Sequence, residues 1–224
     1  MAGMTASEID EAERTRRAEL VLGLRSRGVL HTRTLIALET IPRSQFAPSR
    51  LRDAAYADRA LPIACGQTLE SPSQIATMVD ALGVGDLDSV LEIGTGTGYC
   101  AAILSRLARR VFTIDRWRTL VENAERRLGD LGGVGNVTAI VADGALGHAA
   151  HAPYERILIT AAVTTPPSAL LNQLKAGGVM IAPVGDGSGQ RLTRFVKARD
   201  GSLDETTIAS VRVPPLMQGV AKAL

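Results

Sequence analysis

Three acidic residues and three glycines stand at intervals suited to gripping a small-molecule cofactor. Glu92 lies two places before Gly94, in the run Gly94-Thr95-Gly96-Thr97-Gly98-Tyr99; Asp115 follows Gly94 by 21 positions, and Asp143-Gly144 comes later. Glycines without a Cβ let the backbone approach a ligand closely, and a helix N-terminus behind them offers free N–H groups. A carboxylate about 20 residues past such a turn is placed to accept hydrogen bonds from ribose hydroxyls, which is the role read for Asp115. Asp143 with Gly144, at a later strand end, suits an edge-on reader of an adenine amino group. Arg116, beside Asp115, and Thr160, at the end of another strand, join the candidate cofactor set with Thr95 and Tyr99. A dinucleotide fingerprint needs a small residue where Tyr99 stands, so a nicotinamide oxidoreductase is disfavoured.

The elements that must position these residues read as alternating strands and helices. Val90, Leu91 and Ile93 form a buried strand, the glycines a tight turn, and Cys100 to Leu107 a helix. Further strands are predicted at Arg110–Asp115, Asn136–Val141, Pro153–Thr160 and Val179–Val184. Helices are predicted from Trp117 to about Leu131, with Leu120, Val121, Ala124 and Leu128 as the buried stripe, and from Pro167 to Leu174. Trp117 either packs on its helix or walls a nucleoside pocket. Gln190–Lys197 and Thr206–Val213 read as an antiparallel hairpin about the polar turn Arg199-Asp200-Gly201. Ahead of the cradle, Ser71-Pro72 is a helix start, with serine as cap and proline preorganised for the first turn; that helix runs through Ile75, Met78, Val79 and Leu82 to Gly83. The N-terminal part holds a helix from Ser7 to about Arg27, with Ile9, Leu20, Val21 and Leu24 facing inward, and a shorter one from Thr32 to Glu39. These apolar faces are too few to bury one another without the main core.

The expectation is therefore one α/β domain over residues 1–224, a doubly wound, mostly parallel sheet. A helical N-terminal subdomain covers residues 1–65, and the core with its C-terminal antiparallel hairpin covers residues 66–224. With 224 residues, 46% of them hydrophobic, the chain can bury a sizeable core. Its 25 basic and 23 acidic side chains are interspersed, which argues against a nucleic-acid-binding surface. No signal peptide is read at the charged N-terminus, and no apolar run approaches the ~20 residues of a membrane span. Cys65 and Cys100 read as small packing residues in a reducing compartment, and His148 and His151 as surface or packing residues. No spacing suggests a metal site. The chain reads as a cytoplasmic monomer without membrane or nucleic-acid partners.

The acidic residue two places before Gly-x-Gly-x-Gly resembles the first motif of the class I S-adenosylmethionine-dependent methyltransferases. Over almost the whole length the chain further resembles the protein-L-isoaspartate O-methyltransferases. The likeness is carried by Arg43 with Phe46 and Pro48, Ala55-Tyr56-Ala57-Asp58, Gly66-Gln67-Thr68, Thr160-Ala161-Ala162, Pro183-Val184-Gly185 and Val211-Arg212-Val213-Pro214-Pro215-Leu216. The resemblance implies S-adenosylmethionine as cofactor, S-adenosylhomocysteine as product, and isoaspartyl residues of damaged proteins as substrate. Their methyl esters close spontaneously to succinimides, a repair reaction. An aspartate-type carboxyl has a pKa near ~4 and is already ionised at neutral pH, so no general base is required. Catalysis is then a matter of positioning.

One departure stands in the loop ahead of the cradle. The family pattern continues Gly-Gln-Thr-Ile-Ser-x-Pro, and aligning Pro72 puts Glu70 where that serine belongs. The substrate-loop candidates are thus Thr68, Glu70 and Ser71. Two like charges ~4 Å apart repel by roughly 4 kcal/mol at an effective dielectric near 20, enough to oppose an anionic acceptor. Three arrangements answer this: Glu70 is protonated, or it turns away while Thr68 or Ser71 supplies the hydroxyl, or the acceptor is another carboxyl or small molecule. A binding module that kept the cradle without catalysis is the remaining alternative.

Overall fold

A computed structural model describes residues 6–29 and 31–222, and side chains from residue 11 onward; Ser7 and Ile9 fall outside the described side chains. Seven strands form one sheet. In chain order these are β3 (Ser89–Ile93), β4 (Arg110–Asp115), β5 (Val137–Val141), β6 (Tyr154–Ile159), β7 (Leu174–Asp186), β8 (Gly189–Lys197) and β9 (Leu203–Val211). They lie side by side as β5-β4-β3-β6-β7-β8-β9. From β5 to β7 the neighbours are parallel, and β7–β8 and β8–β9 are antiparallel. The helices are α1 (Ala6–Ser26), α2 (Thr32–Thr40), α3 (Pro72–Leu82), α4 (Tyr99–Ser105), α5 (Arg118–Leu131) and α6 (Ser168–Gln173).

All five residues of β3 are buried, because a central parallel strand is covered on both faces. Its side chains alternate between two cores. Val90 joins a cluster with Leu38, Phe46, Val79, Tyr99, Ile103 and Leu158, whereas Leu91 and Ile93 join Phe112, Ile157, Ile159, Leu170 and Met180. Leu24 of α1 and Leu35 and Leu38 of α2 sit in the first cluster, so the N-terminal helices share the core on one face of the sheet. The chain winds from β3 outward to β4 and β5, then returns to place β6 on the other side of β3. At that reversal the loops leaving β3 and β6 part, which opens a crevice at the strands' C-terminal ends.

Three local features differ from the sequence reading. A two-stranded antiparallel ribbon, β1 (Leu61–Pro62) with β2 (Thr68–Leu69), frames the loop ahead of α3. Strands of two residues carry no readable periodicity. Helix α6 stops at Gln173, and Gly177 and Gly178 lie inside β7. There the register to β6 jumps from Tyr154↔Leu174 to Arg156↔Val179, so the glycines mark an irregularity within the strand. Strand β9 begins at Leu203, three residues before the predicted start, and ends at Val211.

Candidate active site

The glycine turn is pinned to its neighbours on both sides. Gly94, at φ +104°, donates its N–H to the Ile114 carbonyl at 2.8 Å, and Thr95 donates to the same oxygen at 3.1 Å. From β6's end the Thr160 hydroxyl donates to the Ile93 carbonyl at 2.9 Å. A Cβ on Gly94 would stand 2.1 Å from the Thr160 Oγ1, so only glycine fits between strand end and hydroxyl. Gly98 opens α4 and serves packing: a Cβ there would meet the Ala124 Cβ of α5 at 3.0 Å.

Asp115 closes the turn. Its Oδ2 accepts the Gly96 N–H at 2.9 Å and its Oδ1 accepts the Trp117 N–H at 3.0 Å. Burial raises its pKa, opposed by these N–H groups and by Arg116. Each oxygen keeps acceptor capacity beyond its one backbone bond, as a ribose diol requires. Beneath the turn, Glu92 is wholly buried; the Thr113 hydroxyl donates to its Oε2 at 2.6 Å and its Oε1 has no partner. Burial pushes Glu92 up to about 7, with Thr113 and Cys100 opposing. Thr95 extends the chain, its Oγ1 being 2.8 Å from the Thr113 Oγ1.

Two adjoining cavities meet at this turn. The first, 190 Å³, is walled by Gln67, Ile93, Gly94, Ile114, Asp115, Arg116, Trp117, Gly144, Ala161 and Pro214 to Met217. The second, 70 Å³, shares Gln67, Gly94, Asp115, Ala161 and Pro214 and adds Thr68, Glu70, Gly96, Leu120 and Thr160. An apolar slot with an aromatic wall, next to a carboxylate with spare acceptor capacity, fits an adenosine group, and the smaller space lies between glycine turn and substrate loop. A larger cleft of 980 Å³ passes Asp143, Thr164, Asp186 and Arg212; it meets the first cavity at Pro215 and Leu216 and does not reach the glycine turn.

Of the predicted site residues, Thr68, Glu70, Gly94, Gly96, Asp115, Arg116, Gly144 and Thr160 converge on the two cavities. Others stand behind that surface. Glu92, Thr95 and Gly98 line neither cavity, and Tyr99 is buried in the core, its ring 5.6 Å from that of Phe46. Asp143 accepts the Ala145 N–H at 2.9 Å and the Gly219 N–H at 2.8 Å, so its carboxylate ties the C-terminal tail to the β5 loop. Ser71 caps α3 by accepting the Gln74 N–H at 3.3 Å. His148 and His151 stack 4.9 Å apart against Phe112. Among the described residues no group of three or more His, Cys, Asp or Glu is placed to hold a metal ion.

Sequence reasoning passed over Arg43, Pro214 and Leu216 as site residues. Arg43 is fully buried and forms the loop's anchor: its Nε donates to the Ala55 carbonyl at 2.7 Å, its Nη2 donates to the Glu70 carbonyl, and the guanidinium lies 4.9 Å from the Tyr99 ring centre. Its presence in the family-like run near Phe46 was the available signal. For Pro214 and Leu216 the signal was likewise their place in a family-like run, Val211 to Leu216; they reach the site because the Ala162 N–H donates to the Pro214 carbonyl at 2.8 Å and the Leu216 N–H donates to the Ala162 carbonyl at 2.7 Å.

A doubly wound sheet with this cradle at its reversal defines a class I S-adenosylmethionine-dependent methyltransferase. Two solved structures share this fold: a protein-L-isoaspartate O-methyltransferase, 28% identical, with TM-score 0.79, covering 91% of this chain and 67% of that one; and a Plasmodium falciparum protein described as a putative protein-L-isoaspartate O-methyltransferase in complex with S-adenosyl-L-homocysteine, 16% identical, with TM-score 0.78, covering 89% and 97%. The chain belongs to the protein-L-isoaspartate(D-aspartate) O-methyltransferase family, whose model matches residues 15–221. Relatives called protein-L-isoaspartate O-methyltransferase include one from Azorhizobium caulinodans, 50% identical over 96% of this chain and 98% of its own length. Another, from Parvibaculum lavamentivorans, is 48% identical over 96% and 97%.

Proposed function

We infer that this chain repairs aged proteins by methylating the free carboxylate of L-isoaspartyl residues, with S-adenosylmethionine as donor. The observation that carries the reading is the 70 Å³ cavity, in which Thr68 and Glu70 of the loop face Gly94 and Gly96 of the turn. An acceptor delivered by one side meets a donor held by the other. When bound, S-adenosylmethionine supplies an electrophilic methyl group on a sulfonium. Gly94, Gly96, Asp115, Arg116, Trp117, Gly144 and Thr160 are the residues we assign to holding it, with Asp115 on the ribose. Glu92, Thr95, Gly98, Tyr99 and Asp143 support those contacts from behind.

The acceptor carboxylate is ionised at neutral pH, so the protein need only align it and exclude water. The ribbon β1–β2 and the Arg43 anchor set the loop's distance from the turn. We assign the working unit to a single-domain cytoplasmic monomer over residues 1–224, acting on protein and not on nucleic acid; among the described residues no helix is long and apolar enough to cross a membrane. Incubation with radiolabelled S-adenosylmethionine and an isoaspartyl peptide tests the reading. Base-labile label is expected on that peptide and not on its aspartyl twin; equal labelling of both, or of neither, rejects the assignment.

A further inference from the structure

The hydroxyl protons of the substrate loop are already spoken for. Thr68 Oγ1 donates to Glu70 Oε1, and Gln74 Nε2 donates to Glu70 Oε2 at 3.1 Å. Gln67 turns its amide toward the Cys65 carbonyl at 3.1 Å, and Ser71, whose hydroxyl accepts the Gln74 N–H and lies 3.3 Å from the Ser73 Oγ, lines neither cavity beside the turn. A threonine hydroxyl has one proton. While Glu70 is ionised that proton points at Glu70, and an incoming acceptor carboxylate meets the oxygen lone pairs of Thr68 and the negative charge behind them. Both residues line the small cavity, so this is the surface the acceptor encounters.

The surroundings of Glu70 raise its pKa above the ordinary carboxylate value. Burial raises its pKa; Thr68, Arg43 and Gln74 pull the other way, and Asp115 occupies another wall of the same cavity. Arg43 spends its Nη2 on the Glu70 main-chain carbonyl, not on the carboxylate. A second carboxylate entering the cavity raises the Glu70 pKa further, as like charges in a shared site do.

We propose that Glu70 and Thr68 act together as a proton-dependent acceptor site. Glu70 takes one proton from solvent on Oε1 and donates it in a hydrogen bond to Thr68 Oγ1. The Thr68 hydroxyl then rotates and donates its own proton to the acceptor carboxylate. No covalent bond to carbon changes, and one proton is gained per acceptor bound. Glu70 is the positioning residue and Thr68 the group that touches substrate. The inference rests on the isoaspartyl reading above and adds to it how this chain manages without the family serine.

The test is the pH profile of the peptide KM for the wild-type protein, Glu70→Gln, and Glu70→Gln combined with Thr68→Val. Uptake of one proton makes the wild-type KM climb by up to about tenfold per pH unit on the alkaline side. Glutamine donates to Thr68 at every pH, so Glu70→Gln flattens the profile and lowers KM by about tenfold near pH 8, and adding Thr68→Val abolishes that gain. Donor affinity, measured by calorimetry with S-adenosylhomocysteine and S-adenosylmethionine, stays within about threefold in Glu70→Gln. Methyl transfer with parallel profiles in wild type and Glu70→Gln overturns the switch alone. A selective loss of S-adenosylmethionine affinity in Glu70→Gln also overturns it, since the carboxylate would then serve the sulfonium. No transfer to isoaspartyl peptide by any of the three proteins at any pH overturns the acceptor assignment together with the switch.

Discussion

The glycine turn and the acceptor loop face each other across one small cavity, yet they are secured to different parts of the molecule. The strands on both sides hold the turn: Gly94 and Thr95 donate to the Ile114 carbonyl, Gly96 donates to the Asp115 carboxylate, and the Thr160 main-chain N–H and hydroxyl both donate to the Ile93 carbonyl. The loop is folded on itself by the β1–β2 ribbon, where the Ile63 N–H donates to the Gln67 carbonyl at 2.9 Å, and the Arg43 side chain ties it to its surroundings through the carbonyls of Ala55 and Glu70. Each region also rests on a buried ionisable group, Glu92 under the turn and Arg43 under the loop. A sheet-borne site is rigid because moving it breaks several backbone bonds at once, whereas a loop tethered by side chains can change its facing residues without disturbing the fold. Glu70, where the resemblance leads one to expect a serine, lies on the loop side of that comparison.

The strongest way to break the comparison is at Gly94. Gly94→Ala combines a left-handed backbone with a Cβ 2.1 Å from Thr160 Oγ1, so S-adenosylhomocysteine affinity should fall roughly 100- to 1,000-fold in a calorimetric titration. Binding within threefold of wild type, in a protein whose circular dichroism is unchanged, would show that the turn is not rigid. Next comes Arg43→Lys, which keeps charge but loses the fork that reaches two carbonyls. Leaving a buried carbonyl unpaired is costly, so peptide kcat/KM should drop roughly 30- to 100-fold while donor affinity moves less than about threefold. Equal losses for donor and peptide would mean that the two regions are one mechanical unit.

The smallest effect concerns Glu92. Its folded pKa of about 7 lies above the ordinary carboxylate value, so the folded state binds more protons than the unfolded one. Stability is therefore greatest below the unfolded pKa and declines as pH rises toward about 7. Between about pH 5 and 6.5 the wild-type protein should lose roughly 1 to 2 kcal/mol relative to Glu92→Gln, read from urea midpoints at each pH. Parallel curves would show that Glu92 titrates alike in both states and that the turn's foundation carries no such cost.

Much of the architecture was legible before folding is considered. Val90, Leu91 and Ile93 read as a buried strand, the α5 stripe has helical spacing, and Ser71-Pro72 announces a helix start. Gly94 and Asp115 could be paired from their separation because a β-α-β unit has a nearly constant length. These inferences succeed because period, capping and turn chemistry act over a few residues. The same locality is why the strand predicted at Val179–Val184 starts too late: the register jump that carries Gly177 and Gly178 into β7 depends on pairing with β6.

Other assignments depended on which segments meet in space. The motif order makes Glu92, Tyr99 and Asp143 look like ligand contacts, but packing sends Glu92 beneath the turn and Tyr99 into the core, while the Asp143 carboxylate holds two main-chain N–H groups on the wall of the larger cleft. Pro214 and Leu216 enter the cavity wall across more than 50 residues of chain through bonds to Ala162. The direction of the Thr68 hydroxyl likewise follows from Glu70 being folded back beside it. Sequence by itself determined residue types, periods and the presence of a cradle. Tertiary structure alone decided which polar groups spend their hydrogen bonds inside the protein and which keep them for a ligand, because each donor or acceptor has a fixed capacity and only the folded arrangement shows what consumes it.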